Sequence, residues 1–365
     1  MRPAKSLNGA SLRVPLCPLW LRLSQALLVL SVLTTTACSK GTPAATPSTA
    51  AAAAAAKSEA AAPAADSSTP DNAPLPRIDA KRAFEYTREV TAFGPRYMGN
   101  EAHKKLERYV LDHLKEDHLS ADQIEEDDFT ADTVEGKFPV HNIIAKFPGK
   151  KDGIIAILGH YDTNYPLRNI NYVGANDGGS STAILLEYAK YFRDQVNKES
   201  PGSSGKPKIR DGYSIWLVWT DGEEAVRSWS DTDSLYGTRH LAEKWEKDGT
   251  LKKIKALFVM DMIAAQDVNI LRDQNSTPWL LDLIHTAAER GGYQSHFYAL
   301  QFGEEDDHIP FVKRGVPCAD VISMPYGYND VFHHTAQDTM DKLSATSLEI
   351  VGNTILETVH LLDQR

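Results

Sequence analysis

Three short apolar runs in this chain each end on residues that carry a carboxylate or an imidazole. IIAIL runs into Gly159, His160 and Asp162; YSIWLVWT into Asp221, Glu223 and Glu224; ALFVM into Asp261. Runs of this length, rich in β-branched and aromatic residues, read as buried strands. Helical spacing fills the gaps, over Ser181 to Phe192 and Ser234 to Lys247, with further helices expected over Lys81 to Phe93, Ala102 to Leu119, Pro278 to Arg290 and Ala345 to Leu362. Strands at Val140 to Phe147 and Ala319 to Ser323 complete the alternation. Such a pattern predicts an α/β fold of three layers, a mainly parallel central sheet with helices on both faces; the early strands leave room for antiparallel pairs. In open sheets of this kind, functional groups gather beyond the carboxyl ends of the strands.

Glu223 and Glu224 are adjacent at one such strand end. Burying two carboxylates together is costly unless a cation or a proton offsets the charge. A metal ion meets that need: one glutamate ligates it and its neighbour stays free as a general acid/base. Asp177 lies in a Gly-rich turn, NYVGANDGGSS, and His333 and His334 precede the last helix. With His160 and Asp261 these make a nitrogen and oxygen donor set, which suits zinc. Singly, each has a plainer role: Asp177 as a helix cap, Glu224 as a surface residue, His334 as a loop histidine.

The order His160-x-Asp162, Asp177, Glu223-Glu224, Asp261, His334-Thr335 resembles the zinc aminopeptidase family. Within it, DGEEAVRSWSDTDSLYGTRHLA and DDHIPFVKRGVP resemble the animal-type glutaminyl-peptide cyclotransferases, or glutaminyl cyclases, from about Arg82 to the C-terminus. The resemblance implies a zinc-dependent enzyme that converts N-terminal glutamine of peptides or proteins to pyroglutamate and releases ammonia. It implies Asp177, Glu224 and His334 as zinc ligands and Glu223 as acid/base. Asp261 and Asp306 would hydrogen-bond near the leaving group, and Trp229 would wall the glutamine pocket. One zinc is implied, although His160 and Asp261 are the residues that hold a second in the aminopeptidases; a two-zinc aminopeptidase is the alternative. Asp162 would orient a histidine, and His308 would hold its loop. The chain departs from the resemblance at His333, where animal glutaminyl cyclases carry Trp, and at Gly159, where a disulfide cysteine often stands.

The first 76 residues do not read as globular. Arg2, Lys5, Arg13 and Arg22 precede an apolar run, Ala26 to Leu33, and then TTTACSK, which reads as a lipoprotein-type signal over residues 1–37 with Cys38 the lipidated residue. Residues 38–76 are Ala, Pro, Thr and Ser with almost no large apolar side chain, a tether that cannot offset its own ordering entropy. Residues 77–365 form the catalytic domain. Export to the periplasm or cell envelope is expected, with membrane contact only through the lipid anchor. Cys318 remains as a small buried residue, so no intramolecular disulfide is expected. The net charge of -10 and the lack of a basic patch argue against nucleic-acid binding. A monomer acting on N-terminal Gln peptides is expected. The acidic stretch Glu116 to Asp128 reads as a solvated loop, and Asn197 to Asp211 as an exposed one.

Overall fold

Every apolar run becomes a strand that extends beyond its apolar core. In the computed structural model, which describes residues 74–199 and 209–365, six strands form one sheet: β1 (Ile124–Thr133), β2 (Gly136–Phe147), β3 (Gly149–His160), β4 (Arg210–Thr220), β5 (Ile254–Asp261) and β6 (Cys318–Ile322). Their spatial order is β1-β2-β4-β3-β5-β6. The pairs β3·β4, β3·β5 and β5·β6 are parallel, while β1·β2 and β2·β4 are antiparallel. His160 lies opposite Thr220, and Asp261 opposite Ile322. The four parallel strands therefore end nearly in line, at the edge where the polar residues wait.

Side-chain alternation along the strands divides the core in two. Ile155 and Ile157 of β3, Leu217 and Trp219 of β4 and Phe258 of β5 pack on one face. That face is covered by α1 (Ala80–Ala92), α2 (Glu101–Glu116), α3 (Gly179–Glu199), α5 (Pro278–Gly291) and α7 (Ala345–Asp363). Ile154, Ala156 and Leu158 of β3, Val218 of β4 and Val259 of β5 face the other way, onto α4 (Tyr236–Lys247) and the short α6 (Ile309–Val312), which supply Leu241, Trp245 and Phe311. Helix starts follow local chemistry. Asp79 and Asn100 accept the N–H groups of Arg82 and His103 at 3.0 and 2.7 Å, and Pro278 opens α5. The start of α3 lies so close to β3 that a Cβ on Gly159 would sit 2.7 Å from Cβ of Ser181.

Two expectations need correcting. The acidic stretch is not a loop: its second half is the edge strand β1. Its charges are partnered, Glu125 and Asp127 by Lys244 at 2.6 and 2.8 Å, Glu125 also by Lys146, and Asp127 by the Asn142 amide at 3.0 Å. Charged side chains suit an edge strand, because they discourage pairing with another chain. The loop at Asn197 is shorter than expected: α3 runs through Glu199 and β4 starts at Arg210. Residues 200–208 and the expected signal and tether lie outside the described residues. Among the described residues, no helix is long and apolar enough to cross a membrane. Cys318 is buried and unpaired, as expected.

Candidate active site

Beyond the strand ends, three loops and a turn converge on one centre. The turn after residue 174 brings in Asp177, and its shape depends on Gly178: φ is +75°, and a Cβ there would meet the Asp162 carbonyl oxygen at 2.6 Å. Asp338 pins the turn from the far side, accepting the N–H groups of Asn176 and Asp177 at 2.8 and 3.1 Å, while the Tyr326 hydroxyl donates to Asp338 at 3.0 Å. The β4 strand delivers Glu223 and Glu224. Their N–H groups donate to the two oxygens of Asp162, at 3.2 and 3.3 Å. The expected histidine partner of Asp162 is also near, with His160 Nδ1 at 3.5 Å.

The three expected metal ligands come together. His334 Nε2 lies 3.2 Å from Glu224 Oε1 and 3.4 Å from Asp177 Oδ2. The other oxygen of Asp177 faces His160 Nε2 at 3.1 Å, and His160 Nε2 lies 3.2 Å from Asp261 Oδ1. Asp177 thus stands between two groups, one with His333 and His334 and one with His160 and Asp261. His334 reaches its place with φ at +51°, in the left-handed region, and Met262 beside Asp261 has φ at +48°. Non-glycine residues held there cost free energy and cluster at functional sites.

The electrostatics ask for positive charge at this spot. Burial works against a charged His334, yet Glu224 and Asp177 push it up to about 11. Burial alone would raise the Asp177 carboxyl, but His160 and His334 outweigh it and hold it well below the usual carboxylate range. Ring nitrogens and carboxylate oxygens converging at 3.2–3.4 Å form a donor set suited to zinc. Supporting groups orient the ligands: the Asn164 amide donates to Glu224 Oε2 at 2.7 Å, and the Tyr172 hydroxyl donates to Asp177.

Glu223 is different. Burial lifts its carboxyl well above the usual range; His160 opposes this, while Glu224, Asp306 and Asp307 add to it. It opens on a cavity of about 410 Å³ whose lining includes Asp177, Glu224, Trp229, Asp261, Asp306, His333 and His334. Trp229 is 39% exposed at the rim. Its loop is fixed by Asp233, which accepts the N–H groups of Val226, Arg227 and Ser228 at 3.0, 3.1 and 2.9 Å. His333 lies 3.1 Å from Asp330 through Nδ1, so the ring that stands where the resemblance has Trp does face the cavity. Phe332 turns away, edge-on to Tyr326. Asp306 is buried at the cavity wall with Oδ2 unpartnered. His308 is fully buried with Nε2 3.2 Å from an Asp273 oxygen, but neither of its ring nitrogens makes the hydrogen bond expected of a residue that holds its loop.

Sequence reading missed Asn164, Tyr172 and Asp338. Asn164 follows His160 by four residues and Asp338 follows His334 by four. Proximity to a ligand was the only available signal, and it does not say which neighbour turns inward.

A family model, peptidase family M28, matches residues 142–359. A Drosophila melanogaster glutaminyl-peptide cyclotransferase is 30% identical over 252 residues, spanning 64% of this chain and 68% of that protein. The crystal structure of an Acidobacteriales bacterium glutaminyl cyclase is 48% identical, with a TM-score of 0.75 over 82% of this chain and all of that one. A Zn-dependent exopeptidase from Parabacteroides distasonis shares the fold, at 22% identity and a TM-score of 0.65 over 78% of this chain and 99% of that one. With more than half of its length matched, the chain belongs to peptidase family M28, among relatives that are glutaminyl cyclases.

Proposed function

We propose that this chain is a glutaminyl-peptide cyclotransferase that closes the N-terminal glutamine of peptides or proteins to pyroglutamate and releases ammonia. The observation that carries this is a buried glutamate, Glu223, held beside a zinc-suited donor set at the base of a side-chain-sized cavity. The similarity to glutaminyl cyclases supports it, and does not favour the aminopeptidase alternative.

Asp177, Glu224 and His334 would hold one zinc ion. Zinc bound there would polarise the substrate γ-carbonyl as a Lewis acid. The chain's own groups do the rest. The cavity holds the glutamine side chain so that its α-amine and γ-carbonyl meet within one residue, which removes the entropy cost of bringing two reactants together. Glu223 takes a proton from the α-amine as the new N–C bond forms. It returns that proton to the departing nitrogen as the C–N bond of the side-chain amide breaks. A carboxyl lifted toward neutrality by burial suits both halves of the exchange. Trp229 and His333 flank the entry and limit what fits. Asp261 and Asp306 line the same cavity and would hydrogen-bond near the departing ammonia.

The test is direct. Purified protein incubated with a Gln-peptide should release ammonia and yield the cyclised product, and a zinc chelator should stop it. No cyclisation above the spontaneous rate would sink this reading.

The leader supports export and lipid attachment at Cys38. Cys38→Ala should move the protein from the membrane to the soluble fraction or stall its processing. A wild-type protein that is soluble and starts at another residue would count against the anchor.

A further inference from the structure

Away from the cavity, a second group of ligand-type side chains lies wholly inside the protein. Asp273 follows β5, His308 stands just before α6, and Asp320 is the middle residue of β6. Each offers a ligand atom, and the three atoms lie within 4.8 Å of one another. Asp273 is 1% exposed and the other two are 0%. None of them lines the active-site cavity. Aspartate is almost never fully buried unless it is paired, and a buried polar atom without a hydrogen bond calls for an explanation. Here neither oxygen of Asp320 and neither ring nitrogen of His308 has a hydrogen-bond partner among the described residues.

His308 Nε2 and Asp273 Oδ2 are 3.2 Å apart, yet out of line for a hydrogen bond. Two ligands of one tetrahedral zinc ion, bonded at about 2.0–2.2 Å, stand roughly 3.4 Å apart, each aimed at the ion instead of at its neighbour. We propose that Asp273, His308 and Asp320 hold a buried structural zinc ion, separate from the centre built on Asp177, Glu224 and His334. Asp320 supplies both of its oxygens, which completes four donors. This inference does not depend on the cyclase reading.

The surroundings fit. Two carboxylates cancel the charge of the ion, which a fully buried cation requires. An imidazole among the donors suits zinc better than magnesium or calcium, which take oxygen ligands. The supporting hydrogen bonds are in place. The Ser276 hydroxyl donates to Asp273 Oδ2 at 2.6 Å and accepts the Asp320 N–H at 2.8 Å, so one side chain places both carboxylates. Asp273 Oδ1 accepts the N–H groups of Asn275 and Glu304, at 3.1 and 2.9 Å. Such bonds orient carboxylates that ligate a metal. Asp307 is not a further ligand, because the hydroxyls of Thr220 and Thr238 already occupy it, at 2.5 and 2.6 Å. His308 Nδ1 lacks the anchor that a metal-bound histidine normally has, so affinity should fall short of a fully supported site. The ion staples three segments distant in sequence: the loop after β5, the residue before α6, and β6.

Burial supplies the test. The His334 side chain is 36% exposed, so a chelator can reach an ion held there. An ion among Asp273, His308 and Asp320 can leave only when the fold opens around it. Full-length protein, produced with zinc in the medium and treated briefly with a chelator, should keep one zinc per chain by plasma mass spectrometry. Asp320→Leu should keep none after the same treatment and should melt below wild type. Without an ion at this site, exchanging a buried, unpaired carboxyl for an apolar side chain would leave the melting temperature unchanged or raise it. Anomalous scattering at the zinc edge, from wild-type crystals, should place a peak among the three side chains, and it decides the matter even if Asp320→Leu does not fold. The proposal is overturned if chelated wild type holds no zinc, if Asp320→Leu keeps as much zinc as wild type, or if no anomalous peak stands there. A wild-type protein that cyclises no Gln-peptide overturns the function proposed above instead, and the retained zinc still decides this site.

Discussion

Glu223 and Glu224 are consecutive, yet their surroundings divide the work between them. Glu224 is gripped by His334 at 3.2 Å and by Asn164 at 2.7 Å, whereas Glu223 is tied through its backbone, to Asp162 and to the Leu235 N–H, and its carboxyl has charged neighbours. Glu224→Gln should therefore lower zinc content and activity together. Glu223→Gln should keep its zinc and lose about 10²- to 10⁴-fold in kcat, the usual worth of a general acid/base. Metal analysis beside kinetics checks this, and the reverse pattern would swap the two roles. A second residue-scale consequence lies behind the same loop. Burial would depress His103, but Asp221 at 2.7 Å and Glu107 at 3.0 Å lift it to about 10. The folded protein thus holds this proton more tightly than the unfolded chain, whose histidine titrates near 6.5. The resulting stabilisation is whole below about pH 6.5 and is lost as pH rises through about 10. The denaturant midpoint should fall between those values in wild type and fall much less in His103→Gln. The convergence of Asp177, Glu224 and His334 was foreseeable from residue type and strand-end position. Asp338 was not, because nothing local distinguishes a buried aspartate from a surface one.

Among the elements, β3, β4 and β5 were read correctly from apolar runs because both of their faces are buried, which forces nearly continuous hydrophobicity. β1 escaped because only part of it is covered and its alternation is written in charges, matched by lysines on β2 and α4. The pattern that makes an edge strand safe also hides it. The β3–α3 contact was invisible too, since Gly159 reads as an ordinary glycine until Ser181 is seen against it. Gly159→Val should cost about 1–3 kcal/mol through overpacking. It should also push apart His160 and Ser181, whose Oγ donates to the His160 carbonyl at 2.7 Å. Thermal melting and zinc content measured together check both effects; an unchanged melting temperature would show that α3 yields freely.

At the scale of the whole molecule, the first firm anchors of the described chain are the N–H of Ile78 on Asn353 at 2.9 Å and that of Asp79 on Glu187 at 2.8 Å. Removing residues 1–76 should therefore leave a folded, active domain, with a melting temperature equal to that of the full chain. A lower value would mean that the leading segment packs on the domain. The fold class was legible from alternation alone, since it is an average over many residues. The centre itself depends on single contacts between distant parts of the chain. His160 and Asp261 are 101 positions apart, Glu224 and His334 are 110, and Asp177 and Asp338 are 161. A metal ion held by these residues would therefore bind in a set order in time. A chain still being made lacks His334 and cannot present the full donor set. Zinc would be taken up last, as a latch on a finished fold. An ion that bound the folded state alone would add about 2.7 kcal/mol at a hundredfold excess over its dissociation constant. Misassembled copies, unable to load the ion, would be the ones left for proteases to find.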